Sequence, residues 1–238
     1  MSRADRKMPG RLAHALLTLA VTFVFAGLAF AMLSLPVEPS GLAEAVGAEL
    51  AGAGARNPVT AVLLNFRGYD TLLEIAVLLL ALMAIWTMRR GELRAQRDPG
   101  EILAFLASVQ VPVMIVVAGY MLWSGGNAPG GAFQAGAILA AAGVLLVLAG
   151  SDWPQRLSGW PLRVGLVLGL TVFIAVGVTT VLSGRAFLDY SGSLVAPTIL
   201  ILEVSATVST GLVLLDMFLS VLHGRASNTE TAASMEDP

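Results

Sequence analysis

Residues 198–222 read TILILEVSATVSTGLVLLDMFLSVL, an apolar run interrupted by small polar residues and by two acids, Glu203 and Asp216. An α-helix rises about 1.5 Å per residue, so about 20 apolar residues cross the roughly 30 Å hydrocarbon core of a membrane. This run is long enough to do so. It therefore predicts a spanning helix that carries two carboxyl groups into the bilayer.

The rest of the chain contains five further apolar runs, each bounded by charges, proline or glycine clusters. Their predicted limits are residues 12–35, 71–88, 102–123, 133–149 and 162–183. A shorter apolar piece, residues 59–66, cannot cross a bilayer and predicts an interfacial or half-membrane helix. The predicted fold class is all-α, an integral membrane helix bundle of about six transmembrane helices with one such half-helix.

Composition supports the membrane prediction and excludes several classes of protein. Of the 238 residues, 56% are hydrophobic and only 13% are charged, against about 25% charged in soluble domains. The absence of Cys excludes disulfides, iron–sulfur ligation and thiolate catalysis. The formal net charge of −2 gives no basis for nucleic-acid binding.

Orientation follows from the basic residues near the helix ends, because these resist translocation. One side of the predicted topology has eleven of them: Arg3, Arg6, Lys7, Arg11, Arg89, Arg90, Arg94, Arg97, Arg156, Arg163 and Arg225. The other side has three: Arg56, Arg67 and Arg185. Both termini are therefore expected in the cytoplasm, and the protein is expected in the cytoplasmic membrane as a multi-pass protein.

The first apolar run could also be interpreted as a cleavable secretory signal, since it follows basic residues and contains Ala29-Phe30-Ala31. Its apolar part is longer than the usual signal core of about 7–15 residues, which favours a retained spanning helix.

Acidic residues inside spanning helices are the candidate functional groups, since each costs about 2.5–3.5 kcal/mol at mid-bilayer without a partner or cavity. Glu74 and Glu203 each lie about one turn inside a helix end and could share one layer. Asp216 lies about 20 Å from Glu203 along the helix, too far to bind the same ion. Thr207 and Thr210 share the helix face of Glu203 and extend it into a polar stripe.

We expect Glu74 to occupy a partly hydrated pocket between helices, covered from lipid by residues 59–66. The predicted ion path comprises Glu74, Glu203, Asp70, Arg67, Thr207 and Asp216. An alternative stays open, in which the acids are neutral and hydrogen-bond neighbouring helices only for assembly.

The loop of residues 125–131, GGNAPGG, joins the third and fourth predicted spans without any charge. Proline and glycine end a helix there, so a tight turn between closely packed helices is expected, with Asn127, Pro129, Gly130 and Gly131 as its structural residues. Direct contact of this loop with a passing ion is the alternative.

Other residues predict packing. Pro112 predicts a kink in the third span. Small-residue faces formed by Gly165 with Gly169, and by Gly136 with Ala140, predict close helix packing.

The sequence contains no pattern typical of an enzyme. Its only histidines, His14 and His223, lie at predicted helix ends, and the HExxH, GxSxG and P-loop motifs are absent. We therefore expect no catalytic residues, no metal site and no cofactor.

Two stretches resemble components of Mrp-type multisubunit Na+/H+ antiporters. Residues 57–75, NPVTAVLLNFRGYDTLLEI, resemble the pattern N-x-x-N-x-x-L-x-D-F-R-G-F-D-T-x-G-E-I at the C-terminal end of the large MrpA protein of these complexes. Residues 126–136, GNAPGGAFQAG, resemble the MrpB signature G-H-N-x-P-G-G-G-F-x-x-G. Departures from these patterns include Asn65, Leu73, Gly126 (the signature's His) and Ala132.

The resemblance implies a fusion with three parts. Residues 1–98 form a two-span segment similar to the MrpA C-terminal end, residues 99–225 a four-span segment similar to MrpB (also called MnhB), and residues 226–238 a tail whose polar composition predicts disorder. Within it, Glu74 matches the family's membrane glutamate, and Glu203 takes the place of an acidic residue in the last MrpB helix. The pair Arg67 and Asp70 would organise the outer entrance.

The function implied by the resemblance is that of an accessory membrane subunit in a cation/proton antiporter-like complex, with other antiporter-like subunits as partners and Na+ and H+ as the ions. Two alternatives remain. The chain could be a purely structural scaffold, or it could belong to the ion-translocating part of a membrane-bound hydrogenase-like respiratory complex, to which the same segments are similar. Neighbouring genes would discriminate between antiporter and redox assemblies.

The predicted orientation can be tested in this Cys-free chain. Cysteines introduced singly near Glu44 and near Arg94 should label from outside the cell and only after permeabilisation, respectively, because the charge bias places the first outside and the second inside. Labelling with the opposite pattern would reverse the assigned orientation.

Overall fold

The computed structural model describes residues 8–34, 42–88, 100–151, 153, 159–190 and 192–236, and every regular element in these ranges is helical. The helices are α1 (Met8–Leu33), α2 (Leu42–Glu49), α3 (Pro58–Ala61), α4 (Gly68–Met88), α5 (Glu101–Ser124), α6 (Ala132–Leu148), α7 (Trp160–Leu182) and α8 (Val195–Glu236). A π-helical turn, Val62–Phe66, extends α3, and two 3-10 turns cover Leu50–Gly52 and Gly192–Leu194.

Within these ranges, five helices are long and apolar enough to cross a membrane. Their candidate spans are Ala15–Leu33, Gly68–Thr87, Glu101–Ser124, Trp160–Leu182 and Val195–Val221. The sixth predicted span is the shorter apolar helix Ala132–Leu148, whose 17 residues lie at the lower limit of about 17 for a crossing. The all-α membrane fold class is thus confirmed.

Orientation and the tail stay predictions. Most of the basic residues that decide the orientation lie outside the described residues: Arg3, Arg6, Lys7, Arg89, Arg90, Arg94, Arg97 and Arg156. The backbone of α8 is helical as far as Glu236, within the segment for which disorder is predicted.

Chain packing divides the protein into two units, one up to Glu44 and one from Ala45 onward. The first unit consists of α1 and the start of α2. At the end of α1, Ser34 donates from its hydroxyl to the carbonyl of Ala31 at 2.9 Å, which satisfies one of the acceptors left open by the last turn.

In the second unit, α8 is the central helix and packs against α4, α6 and α7. Glycines on the neighbouring helices allow this close approach. A Cβ at Gly136 of α6 would lie 3.1 Å from the carbonyl oxygen of Thr207, and one at Gly169 of α7 would lie 3.0 Å from the Cβ of Ser209. The small-residue packing predicted for these helices is therefore confirmed.

The predicted half-helix is present and is built in two pieces. Asn57 caps its first turn by accepting a hydrogen bond from the amide of Val59 at 3.1 Å, and Pro58 occupies the first helical position. The π-helical turn then ends at Arg67, after which α4 begins. Thr71 of α4 donates to the carbonyl of Leu63 at 2.7 Å, which fixes the junction.

The main core cluster lies where the half-helix meets α4, α7 and α8, with Phe173, Leu202 and Ala206 fully enclosed. Tyr190, in the loop before α8, closes this cluster near Gly68. Burial raises the pKa of Tyr190 to about 12, so its phenol stays neutral at physiological pH. Pro112 lies inside α5, where the predicted kink stays a prediction.

Candidate functional site

Glu203 is the buried acid of the second unit. Its side chain is 4% exposed, and no donor in the described part of the chain hydrogen-bonds its carboxylate. Thr207, one turn along α8, donates to the backbone carbonyl of Glu203 at 2.8 Å and so does not reach the carboxylate. The hydroxyl of Thr210, the next residue of the predicted stripe, is buried without a partner among the described residues.

The glycine loop, residues 125–131, lies directly against this carboxylate. A Cβ at Gly125 would lie 3.1 Å from Glu203 Oε1, and one at Gly131 would lie 3.4 Å from the same atom. Gly131 has φ +119, a conformation that favours glycine. A Cβ at Gly130 would lie 2.6 Å from the carbonyl oxygen of Met121. These positions need glycine, as the structural interpretation of the loop predicts.

Hydrogen bonds within the loop fold it back onto the end of α5. The amides of Asn127 and Ala128 donate to the carbonyl of Ser124 at 2.9 and 2.8 Å, and the amide of Gly131 donates to Met121 at 2.9 Å. Pro129 is exposed at the tip of the turn. The loop therefore forms the tight turn expected from its composition.

Two side chains of the half-helix hold the loop from the other side, and we call Asn57 and Thr60 the clamp. Asn57 Nδ2 donates to the carbonyls of Gly125 at 3.2 Å and Ala128 at 2.9 Å. Thr60 Oγ1 donates to the same Gly125 carbonyl at 2.5 Å. Both clamp residues are buried.

The backbone reinforces the clamp. The amides of Arg56 and Asn57 both donate to the carbonyl of Gly126, at 2.7 and 3.0 Å. Three loop carbonyls, those of residues 125, 126 and 128, are thus committed to the segment that begins the half-helix. These carbonyls are already engaged as acceptors, which reduces their capacity to coordinate a cation.

An open cavity of about 650 Å³ lies beside the loop. It is lined by Gly47, Leu50, Ala51, Gly54, Ala55, Arg56, Gly126 and Asn127. Arg56 is the charged residue among them, and its side chain is exposed.

Glu74 lies elsewhere than expected. It is exposed on α4, whereas Thr71, Ile75 and Leu82 form the buried face of that helix. The expectation that helices of this chain enclose it in a pocket is therefore wrong for the described residues. Ile75 and Leu202, the sequence neighbours of Glu74 and Glu203, pack in one core cluster. Both acids are therefore next to this cluster, but Glu74 is exposed and Glu203 is buried.

The remaining predicted site residues have identifiable partners. Arg67 Nε and Asp70 Oδ2 form an ion pair at 2.8 Å, with both side chains well exposed. Asp216 is buried and accepts a hydrogen bond from Trp86 Nε1 of α4 at 2.8 Å, so it ties α8 to α4. This contact corresponds to the assembly alternative for that acid.

Sequence reasoning missed the clamp and Trp86. The Asn-Pro pair at 57–58 does indicate a helix start, since Asn caps well and Pro suits the first helical turn. Nothing in the sequence indicates that the amide of Asn57 also reaches a loop about 70 residues away.

Two family models match the chain. Residues 102–225 match a model described as a domain related to the MnhB subunit of Na+/H+ antiporter. Residues 10–104 match the MbhE model, which describes a component of the MBH complex.

Among curated proteins, the chain is 30% identical over 165 residues to a probable K(+)/H(+) antiporter A/B subunit of Rhizobium meliloti (strain 1021), covering 57% of this chain and 16% of that protein. It is 33% identical over 155 residues to the uncharacterized protein MJ1307 of Methanocaldococcus jannaschii, covering 56% of this chain and 59% of that protein. The chain thus spans less than two thirds of the length of either relative.

Two solved structures share the fold. The Mrp complex from Dietzia sp. DQ12-45-1b matches 94% of this chain and 27% of its own, with a TM-score of 0.60 and 22% identity. The membrane-bound sulfane sulfur reductase, an archaeal respiratory membrane complex, matches 89% of this chain and 98% of its own, with a TM-score of 0.60 and 24% identity. The resemblance inferred from the two motifs is confirmed.

The loop geometry generates a prediction. Replacing Gly130 or Gly131 by Val should lower the yield of assembled complex, because position 130 has no room for a side chain and a β-branched residue at a positive φ costs about 1–3 kcal/mol. The yield can be measured by purification from membranes under matched expression.

The matched control is Gly126→His, which restores the residue of the resembled signature. Nothing lies within 4 Å of a Cβ at Gly126, so the yield should stay at the parental level. Parental yields for the Gly130 and Gly131 variants would contradict the structural role of the loop.

Proposed function

The chain belongs to the family of domains related to the MnhB subunit of Na+/H+ antiporters, and from that premise we propose that it is an accessory subunit of a multisubunit cation/proton antiporter-like complex. Other antiporter-like membrane subunits are its partners. Na+ or another monovalent cation and H+ are the transported ions. The chain contributes acidic groups to the ion path and packing surfaces to the assembly.

The observation that carries the proposal is the buried carboxylate of Glu203. A carboxyl group enclosed by helices without a hydrogen-bond donor is stable when it holds a proton or when a cation neutralises it. Exchange between those two states is the chemistry that a cation/proton antiporter requires. Glu203 also lies against the glycine loop, whose sequence resembles the MrpB signature.

The other predicted residues have different roles in this proposal. Glu74, exposed on a spanning helix, supplies a second negative charge where this chain meets another subunit or water. The pair Arg67 and Asp70 lies at the entrance to that surface. Thr207 and Thr210 continue the polar face from Glu203 along α8, and Asp216 serves assembly through Trp86.

A second candidate function is membership in the ion-translocating part of a respiratory complex. The match of residues 10–104 to the MbhE model and the shared fold with the sulfane sulfur reductase complex favour it. Genes for nickel–iron or iron–sulfur proteins beside this one would support that assembly, and antiporter genes alone would support the first.

Replacing Glu203 by Gln should leave assembly intact and reduce cation-dependent proton transport sharply. The amide keeps the size of the side chain but can neither release a proton nor neutralise a cation. Glu203→Asp, which keeps the titratable group, should retain part of the activity. Transport can be followed as cation-dependent collapse of a pH gradient in everted vesicles.

The control for Glu203 is Asp216→Asn, which is also a buried acid-to-amide change on α8 and retains an oxygen acceptor for Trp86. Its transport should stay near the parental rate. If Glu203→Gln assembles and transports as well as Asp216→Asn, Glu203 is structural and the scaffold alternative holds.

Glu74→Gln should likewise assemble and lose transport, because the exposed charge is removed while size and hydrogen bonding are kept. The comparison is Glu101→Gln, which changes an exposed acid at the first residue of α5, whereas Glu74 is the seventh residue of α4. Parental transport by the Glu74 variant in a normally assembled complex would remove Glu74 from the ion path.

A further inference from the structure

The glycine loop separates the open cavity from Glu203 by one layer of backbone. Two adjacent residues show this. A Cβ at Gly125 would meet Glu203 Oε1 at 3.1 Å, whereas a Cβ at Gly126 would meet nothing within 4 Å, and Gly126 lines the cavity. One residue therefore faces the buried carboxylate and the next faces open space.

This layer is held by backbone bonds to the end of α5 on one side and by bonds from the segment that begins the half-helix on the other. Three of them use clamp side chains: two from Asn57, to Gly125 and Ala128, and one from Thr60, to Gly125. The bonds to Gly126 use backbone amides and do not depend on side-chain identity. Removing the clamp side-chain bonds would release the carbonyls of Gly125 and Ala128 from the half-helix, while the amides of Asn127 and Ala128 stay bonded to Ser124.

We propose that Asn57 and Thr60 are positioning residues that hold the glycine loop as a septum between the cavity and Glu203, and thereby control access of water and monovalent cations to the carboxylate. The inference rests on the proposed function in treating Glu203 as the ion-path acid. Access of water to position 203 can be measured independently of transport.

The composition of the loop suits such a septum. Its glycines permit backbone rotation without displacing side chains, and its lack of charge adds no electrostatic barrier. On the other side, Glu203 has no donor among the described residues to compensate its burial, so a change in its proton or cation occupancy requires contact with water or an ion. The clamp determines how often that contact occurs.

The test uses Glu203→Cys in this Cys-free chain, within the assembled complex in open membrane fragments that expose both faces. The rate of reaction with a charged, water-soluble methanethiosulfonate reports how often water reaches position 203. In the background of Asn57→Ser with Thr60→Val, three side-chain bonds are lost while Ser keeps a cap acceptor. The reaction should then be about tenfold faster.

Three controls isolate the loop. Gly126→Cys faces the cavity and should react rapidly with or without the clamp. Ser209→Cys faces α7, where Ser209 is fully buried, and should stay slow in both backgrounds. Thr71→Val removes a buried threonine hydroxyl bond away from the loop and should leave the rate at position 203 unchanged.

If the cysteine at position 203 reacts at the same rate with and without the clamp, the proposal is wrong. It is also wrong if the reaction rate at position 209 rises by the same factor, because that would indicate general loosening of the helix bundle. If the double variant does not assemble, Thr60→Val alone should give about a threefold rise and Thr60→Ser none. The labelling could confirm the septum while Glu203→Gln transports at the parental rate. That combination would refute the proposed role of Glu203 in transport and would still support the role of the clamp in controlling access.

Discussion

The two hydrogen bonds that the Gly125 carbonyl accepts, from Asn57 and Thr60, connect parts of the chain that lie far apart in sequence. A loop rich in glycine exposes backbone groups that are costly near a membrane unless protein or water satisfies them. The half-helix supplies such partners, because Asn57 and Thr60 donate hydrogen bonds to the loop carbonyls. The burial of Glu203 follows from this arrangement, because the loop it holds lies against the carboxylate.

The span of the central helix carries two acids and several Ser and Thr residues, and their partners differ in kind. Ser209 donates to the carbonyl of Leu166 on α7 at 2.6 Å, and Asp216 accepts from Trp86 on α4. Both contacts join α8 to a neighbouring helix, which is the usual role of polar groups in helix bundles. Glu203 differs because no described residue donates a hydrogen bond to its carboxylate, and the proposal that Glu203 is an ion-path acid rests on this difference.

The helices could be predicted because a bilayer demands long apolar runs, and the loop could be predicted because glycine and proline end helices. The clamp could not, since it joins residues about 70 positions apart and uses types common in any loop. The exposure of Glu74 could not be predicted from the sequence either. Nearly every position of α4 is apolar, so the sequence carries no periodicity that distinguishes its buried face from its exposed one.

An exposed carboxylate on a spanning helix constrains the surroundings of this chain. A carboxylate against lipid costs about 2.5–3.5 kcal/mol at mid-bilayer and less nearer the interface, and protein or water that covers Glu74 removes that cost. Glu203 presents the opposite case, since its cover is supplied by the glycine loop within the same chain. Glu203 is thus covered by its own chain, whereas Glu74 depends on its surroundings for cover. Under the proposed function, the buried acid would serve the ion path within this chain and the exposed acid would serve its contact with a neighbouring subunit.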